Sequence, residues 1–353
     1  MMKINIILPL FARVPSGGTK IMYEYASRLS EKGFNVQIYN CLKTPYYPYS
    51  KYKPFFIRKL ISFFYDKNKP KPNWFSFDKE VKFNFINNIS DDQVRDADII
   101  LFTWWALADP INKLSESKGN KINIIQDYET WTGHENLVHD SYKKDNITNI
   151  AISKFVYNIV KSFDSKVSFI PNAIDLLKFS CRKPILKRSN NSFIMMYSKE
   201  YRKGSEVGLK AFQKLKKIFP DLELTLFGVS DRGEEIPDWI TYLQNPNNLP
   251  ELYNSHMFFV TNSLVEGWGL PLHEAMASGC VCICTDIVGH SQFIENNPGM
   301  LTYEPGDYKS LLNVLKRLLS LENHELDLIS ENNIKLVQKY DWNKTINQLI
   351  NHF

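Results

Sequence analysis

The feature that most constrains this chain is an alternation of short apolar runs with helical stretches, punctuated by glycine-bearing loops. Residues 3–8 are apolar and favour extended structure; the loop Arg13-Val-Pro-Ser-Gly-Gly-Thr19 follows. A helix is predicted from about Lys20, with Ile21, Tyr25 and Leu29 on one face and an end at Gly33, before a strand at 35–39. Strand, Gly-containing loop, helix, strand is a βαβ unit of the doubly wound kind. Residues 99–102, 122–125, 149–152 and 167–170 read as further strands of the same series. A second series starts at Phe193, with strands expected at 193–197, 223–227, 257–261 and 281–285 and helices at 206–218, 271–278 and 309–319. The fold class is therefore α/β, with parallel sheets covered on both faces.

At 353 residues the chain exceeds the size at which one core stops growing, so two domains are expected. The first spans 1–175 and the second 192–341, with 176–191, which carries Arg182, Lys183, Lys187 and Arg188 and no periodicity, as linker. The amphipathic segment 342–353 is expected to form a helix that joins the first domain. A 44% hydrophobic content excludes a disordered chain. The net charge of +5 is too modest for a nucleic-acid binder. No uncharged apolar run approaches a membrane span, and the start reads as a buried first strand rather than a signal peptide. Five cysteines, odd in number and without a CxxC pair, indicate reduced thiols and a cytoplasmic setting.

The most informative stretch is Glu266-Gly-Trp-Gly-Leu-Pro-Leu-His-Glu274-Ala-Met-Ala-Ser-Gly279. Pro271 suits the first turn of a helix and Gly279 its C-terminal cap, which puts Glu266 in the preceding loop and Glu274 on the helix. Gly267 and Gly269 let the backbone approach a ligand closely, with Trp268 and Leu270 beside them, and a diphosphate at this helix start is favoured by the dipole. Two carboxylates so placed can accept hydrogen bonds from sugar or ribose hydroxyls. Cys280, Cys282 and Cys284 alternate on the next strand and read as packed core thiols, since no second cluster completes a metal site. His134 and His139 read as loop residues rather than bases, and His273 as facing away from the ligand.

This stretch resembles the Glu-x7-Glu signature of glycosyltransferase family 4. So do Cys280 to Asp286 and Val288-Gly-His-Ser-Gln-Phe-Ile294 after it, Phe169-Ile-Pro-Asn-Ala-Ile-Asp175, and Arg202-Lys203-Gly204. The resemblance implies the GT-B fold, two facing Rossmann-like domains with an interdomain cleft. It also implies retaining, metal-independent transfer from a nucleotide sugar, with Glu266 on the donor sugar and Glu274 on the ribose. No cofactor or metal is expected. A leaving diphosphate then needs cations or backbone N–H groups. Lys203 is the first candidate, Arg202 or Lys199 the second, and Gly17 and Gly18 could approach the phosphates from the other domain. The family's usual Arg before that Lys is absent, its place reading Met196-Tyr-Ser-Lys199. The family's His-Asp pair reads Gln126-Asp127, followed by Tyr128 and Glu129. Gln126 cannot act as a base but offers a donor and an acceptor, and Asp127 could orient the acceptor hydroxyl or serve as a turn carboxylate. Asp127 and Glu129 alternate along an extended segment and are not expected to pair. Gln-Asp-Tyr-Glu also resembles bacterial rhamnosyltransferases of the family.

Between Pro45 and Lys71 lies a basic aromatic insert, with Lys51, Lys53, Arg58, Lys59, Lys67, Lys69 and Lys71 against Asp66 alone from Lys51 onward. Pro54 opens a helical stretch in which Phe56, Ile57, Leu60, Ile61 and Phe64 share a face. Such a face either docks on an anionic membrane through 51–71 or packs on the first domain. The expectation is a cytoplasmic glycosyltransferase, peripheral on the inner membrane face if 51–71 docks there, acting from a nucleotide sugar on a glycan or lipid-linked acceptor, with no nucleic-acid partner. A nucleotide-sugar epimerase and a non-catalytic nucleotide-sugar or glycan-binding subunit of the same fold stay open as alternatives.

Overall fold

A computed structural model describes residues 1–46, 54, 56, 57, 59, 60, 63, 64, 71–295 and 297–353. The chain divides into two compact units, Met1–Asn172 with Asn343–Phe353, and Ala173–Trp342.

The first unit is built on a seven-stranded parallel sheet in the order β3-β2-β1-β4-β5-β6-β7. These strands are β1 Lys3–Leu8, β2 Asn35–Cys41, β3 Lys82–Ile86, β4 Ile99–Phe102, β5 Asn120–Ile125, β6 Ile147–Ala151 and β7 Ser168–Phe169. The central strands are apolar because helices cover both faces: Ile4, Ile6, Ile100, Leu101, Ile122 and Ile124 are fully buried. The helix Gly17–Glu31 buries Ile21, Met22, Tyr25 and Leu29 against the sheet and begins three residues earlier than its apolar face indicates. After the insert the chain returns to the core, with Trp74 stacked on Tyr23 at 5.4 Å and its indole N–H donating to the Ala12 carbonyl at 2.9 Å. The helical face expected from Pro54 falls largely outside the described residues; within them, Phe56, Leu60, Phe63 and Phe64 are exposed.

The second unit has a six-stranded parallel sheet in the order β10-β9-β8-β11-β12-β13. Its strands are β8 Ser189–Met196, β9 Glu223–Gly228, β10 Thr241–Gln244, β11 His256–Val260, β12 Val281–Thr285 and β13 Leu301–Tyr303. Phe193, Phe212 and Phe258 form the centre of its core, with ring centroids 5.2 and 4.7 Å apart. The two sheets realise the expected α/β class, and every strand pair in both is parallel.

The expected linker is the segment 176–191. It counts with the second unit, and its last residues, from Ser189, already belong to β8. Arg188 is 4% exposed and donates to the carbonyls of Lys183, Tyr253, His256 and Ser278. A guanidinium with five N–H groups satisfies several carbonyls at once, so a basic residue here serves packing. Among the described residues no helix is long and apolar enough to cross a membrane.

In both sheets strand order reverses beside the first strand, between β1 and β4 and between β8 and β11. Doubly wound sheets bind ligands outside the carboxyl ends of their strands at such switch points. The sequence motifs lie there.

Candidate active site

In the second unit Lys203 and Glu266 come together. Lys203 belongs to a short turn, Tyr201–Lys203, after β8, and Glu266 to the loop after β11. The ammonium donates to Glu266 Oε1 at 2.5 Å, and the Ser263 hydroxyl donates to the same oxygen at 2.7 Å. Burial pushes the Glu266 pKa up, but the Lys203 charge and hydrogen bond, His290 and Ser263 together more than offset it, so the carboxyl sits below its ordinary value. It is an ionised acceptor at neutral pH.

Two close backbone approaches fix this loop. A Cβ on Gly204 would lie 2.0 Å from the Asn262 carbonyl oxygen, and one on Gly289 would lie 1.9 Å from that of Glu266. Only glycine fits at either position, which gives a physical role to two glycines of the quoted motifs.

Gly269 caps the helix Leu270–Ala277 from the left-handed region, and Leu270 is its first residue. Glu274, on this helix, is 5% exposed and accepts from the Tyr253 hydroxyl at 3.2 Å. Gly267 is buried in the same loop. The Trp268 side chain is directed elsewhere than a ligand: it is 3% exposed, packs against Phe293 and Tyr340, and donates from Nε1 to His273 Nδ1 at 3.0 Å. Any ligand contact by Trp268 is left to its backbone. His273 is fully buried in that same aromatic cluster.

The other two candidate cations have no place among the described contacts that define this cluster, those of Glu266 with Lys203, Ser263 and His290. Arg202 is paired with Glu200 at 2.9 Å, and Lys199 is exposed. His290, by contrast, belongs to the cluster although its place in Val288-Gly-His carried no assignment. It is fully buried, with Nδ1 3.0 Å from the Thr285 carbonyl oxygen. A carbonyl only accepts, so Nδ1 carries the proton. Burial lowers the His290 pKa, against the pull of Glu266, and the ring is neutral. Its Nε2 is buried with no hydrogen-bond partner among the described residues.

In the first unit, Gly17 and Gly18 are the first residues of their helix, not a loop before it, where backbone N–H groups lack intrahelical partners. Gln126, after β5, donates from Nε2 to the Gly18 carbonyl at 3.0 Å and to Thr103 Oγ1 at 3.3 Å, so two motifs 108 residues apart meet. Asp127 accepts from the Tyr128 amide at 2.9 Å, and Glu129 accepts from the Trp105 amide at 3.2 Å. Each carboxylate thus holds a different backbone amide. His139 lies on the helix Glu135–Tyr142 rather than in a loop; its Nε2 is 2.7 Å from the Tyr128 hydroxyl, and its ring stacks on Phe163. His134 precedes that helix.

Cys280, Cys282 and Cys284 are all fully buried, and burial raises their pKa, that of Cys280 to about 11. Among the described residues no group of three His, Cys, Asp or Glu side chains is arranged to hold a metal ion.

Comparison with known proteins places these residues in context. Residues 181–335 match the family described as glycosyl transferases group 1. The chain is 26% identical over 191 residues to UDP-Gal:alpha-D-GlcNAc-diphosphoundecaprenol alpha-1,3-galactosyltransferase of Escherichia coli, covering 47% of this chain and 48% of the relative. It is 27% identical over 202 residues to the O-antigen chain mannosyltransferase RfbU of Salmonella typhimurium, covering 52% and 53%. The chain thus spans about half the length of these two curated relatives. Among solved structures, Anabaena HepE in complex with UDP and glucose is 13% identical, with a TM-score of 0.73 over 100% of this chain and 99% of the other. Sucrose-phosphate synthase from Thermosynechococcus elongatus is 15% identical, with a TM-score of 0.72 over 98% and 97%. The fold is the GT-B fold of two Rossmann-like α/β units, and the segment that carries Lys203, Glu266 and Glu274 is similar to glycosyl transferases group 1.

Proposed function

We propose that this chain is a glycosyltransferase that takes a sugar from a nucleotide-diphosphate donor and transfers it, with retention and without a metal, to a glycan or lipid-linked acceptor of a bacterial-type surface polysaccharide. The observation that carries the reading is the part-buried Lys203–Glu266 pair, with the helix bearing Glu274 following four residues after Glu266. Glu266 is an ionised acceptor for donor-sugar hydroxyls, and Glu274 for the ribose. In the reaction the C1–oxygen bond to the diphosphate breaks, a bond from the acceptor oxygen to C1 forms on the same face, and the acceptor proton leaves with the nucleoside diphosphate. The growing negative charge is met by Lys203, one of whose three N–H groups Glu266 takes, and by backbone N–H groups at the start of the helix Leu270–Ala277. Asp127 and Gln126 serve the acceptor side. The relatives' printed names, a UDP-Gal-dependent galactosyltransferase and an O-antigen mannosyltransferase, support the acceptor class. The donor sugar is the least constrained part, and rhamnose is one choice that Gln126 suggests.

The test is nucleoside diphosphate release by the full chain from a panel of UDP-, GDP- and dTDP-sugars, with and without membrane-glycan extract. Slow release, stimulated by extract and abolished in Glu266→Ala, is expected. Nucleotide binding without turnover across the panel would instead favour the non-catalytic subunit. A membrane location for the reaction is supported by the exposure of Phe56, Leu60, Phe63 and Phe64 in a basic segment. Pelleting with anionic liposomes at low salt, lost at high salt, is the result that agrees with it; no pelleting at low salt excludes it.

A further inference from the structure

His290, in the second unit, is a buried basic group with half of its hydrogen-bonding capacity unused. It ends the short turn Val288–His290 after β12 and is fully buried. One ring nitrogen, Nδ1, is spent on the Thr285 carbonyl at 3.0 Å. The other, Nε2, has no hydrogen-bond partner among the described residues. Gly269 shows where it points: a Cβ there would lie 3.1 Å from both Nε2 and Cδ2 of His290. That edge of the ring faces the residue that caps the helix Leu270–Ala277, where N–H groups without intrahelical partners favour an anion.

The charged groups that act on the ring are Glu266, from the loop after β11, and Lys203, from the turn after β8. They are paired with one another, so their charges cancel. Thr285, at the end of β12, and Gly269, at the helix cap, bring no titratable group. Burial first, then Lys203 and the positive helix end, hold the ring neutral against the pull of Glu266 and the Thr285 carbonyl. A diphosphate bound at the helix start adds negative charge and reverses that balance. Glu266 is the poorer place for an incoming proton, because its ionised form holds both Lys203 and Ser263.

We propose that His290 is the proton-taking contact of the donor site: when a sugar nucleotide binds, Nε2 gains a proton from solvent and donates it as a hydrogen bond to a diphosphate oxygen. The inference rests on the donor reading of this site and adds how its charge is balanced. No bond of the donor breaks in this step. Its product is an imidazolium that joins Lys203, so that two cations rather than one oppose the charge of the leaving diphosphate. In the free protein the ring stays neutral and avoids the cost of a buried, uncompensated charge.

Titration calorimetry of the full chain with UDP-, GDP- and dTDP-sugars tests this. Both phosphates of these ligands are esterified and do not titrate near neutral pH, so any proton taken up belongs to the protein. Two buffers of different ionisation enthalpy count it. For whichever donor binds, the wild type is expected to take up roughly half to one proton at neutral pH. Its affinity should fall by up to about tenfold per pH unit above the ordinary histidine value of about 6.5. In His290→Asn, whose amide can still donate to the Thr285 carbonyl, and in His290→Gln, the uptake should vanish and the affinity become flat with pH. Should a variant fail to fold, histidine-selective nitrogen-15 NMR of the wild type decides: on binding, an Nε2 signal among the seven histidines must change from unprotonated to protonated. A wild type that binds none of the sugar nucleotides defeats the glycosyltransferase reading itself. Binding without proton uptake, uptake or a pH slope retained in both variants, or an unchanged histidine spectrum overturns the role of His290 and leaves the donor reading standing.

Discussion

Lys203 and Glu266, 63 residues apart, form an ion pair in which the two side chains are only 16% and 11% exposed. Removing one partner leaves the other charge buried and uncompensated. Lys203→Met is therefore expected to cost about 3–5 kcal/mol, and the double variant Lys203→Met/Glu266→Gln to recover much of that loss. Urea denaturation of the three proteins measures it; equal losses in single and double variants would count against the pairing.

Acid should act through the same carboxyl. Because the folded-state pKa of Glu266 is depressed, its stabilisation is fully present above the ordinary carboxylate value of about 4.3 and is lost as pH falls through the lower folded value. The stability difference between wild type and Glu266→Gln is expected to shrink steadily below that pH. Thermal midpoints taken at descending pH report it, and a difference that grows on acidification has the wrong sign.

Gly289→Ala places a methyl group where the Glu266 carbonyl oxygen now lies. The backbone of one loop or the other must move, at about 1–3 kcal/mol. Donor turnover should fall further than stability does, because the displaced residue is Glu266. Melting temperature and nucleoside diphosphate release, measured together, separate the two effects.

Arg188→Met removes the donors that four carbonyls share, two of them, those of Tyr253 and Ser278, in buried contacts, and its loss should be felt across the second unit. Each orphaned carbonyl costs about 1–3 kcal/mol where water cannot reach it. Arg188→Lys should rescue little, since an ammonium lacks the planar fork that reaches several carbonyls at once. Hydrogen exchange in β11 and in the helix Leu270–Ala277 is the readout; wild-type protection in Arg188→Met contradicts the assignment.

Thiol labelling should be one-sided. Of the five cysteines, Cys181 is exposed and the other four are buried. A neutral alkylating reagent is expected to modify Cys181 alone in the native protein and all five after denaturation. Mass spectrometry of the intact chain counts the adducts.

The alternation of strand and helix was legible because buried parallel strands must be apolar throughout, as 99–102 and 281–285 are. Three strands escaped for physical reasons. Lys82–Ile86 and Thr241–Gln244 are edge strands with polar positions, and Leu301–Tyr303 is only three residues long. The motif around Glu266 and Glu274 could be read because helix-start chemistry is local. The pairing of Lys203 with Glu266 and the insertion of His290 beside them depend on three separate strand ends converging, which no local pattern encodes. Arg188 gave no local signal for another reason: it stands in an aperiodic stretch, and two of the carbonyls it serves, those of Tyr253 and Ser278, lie 65 and 90 residues further on.

Gln126 joins the β5 loop to the first turn of the helix Gly17–Glu31 through an amide, at a position where the resembled family often has imidazole. An amide has no proton to gain or lose between pH 5 and 8, whereas a histidine there would change both charge and donor count over that interval. The joint between these two segments is consequently indifferent to acidity. Any pH dependence in the contact between these two segments therefore has to originate in groups other than Gln126.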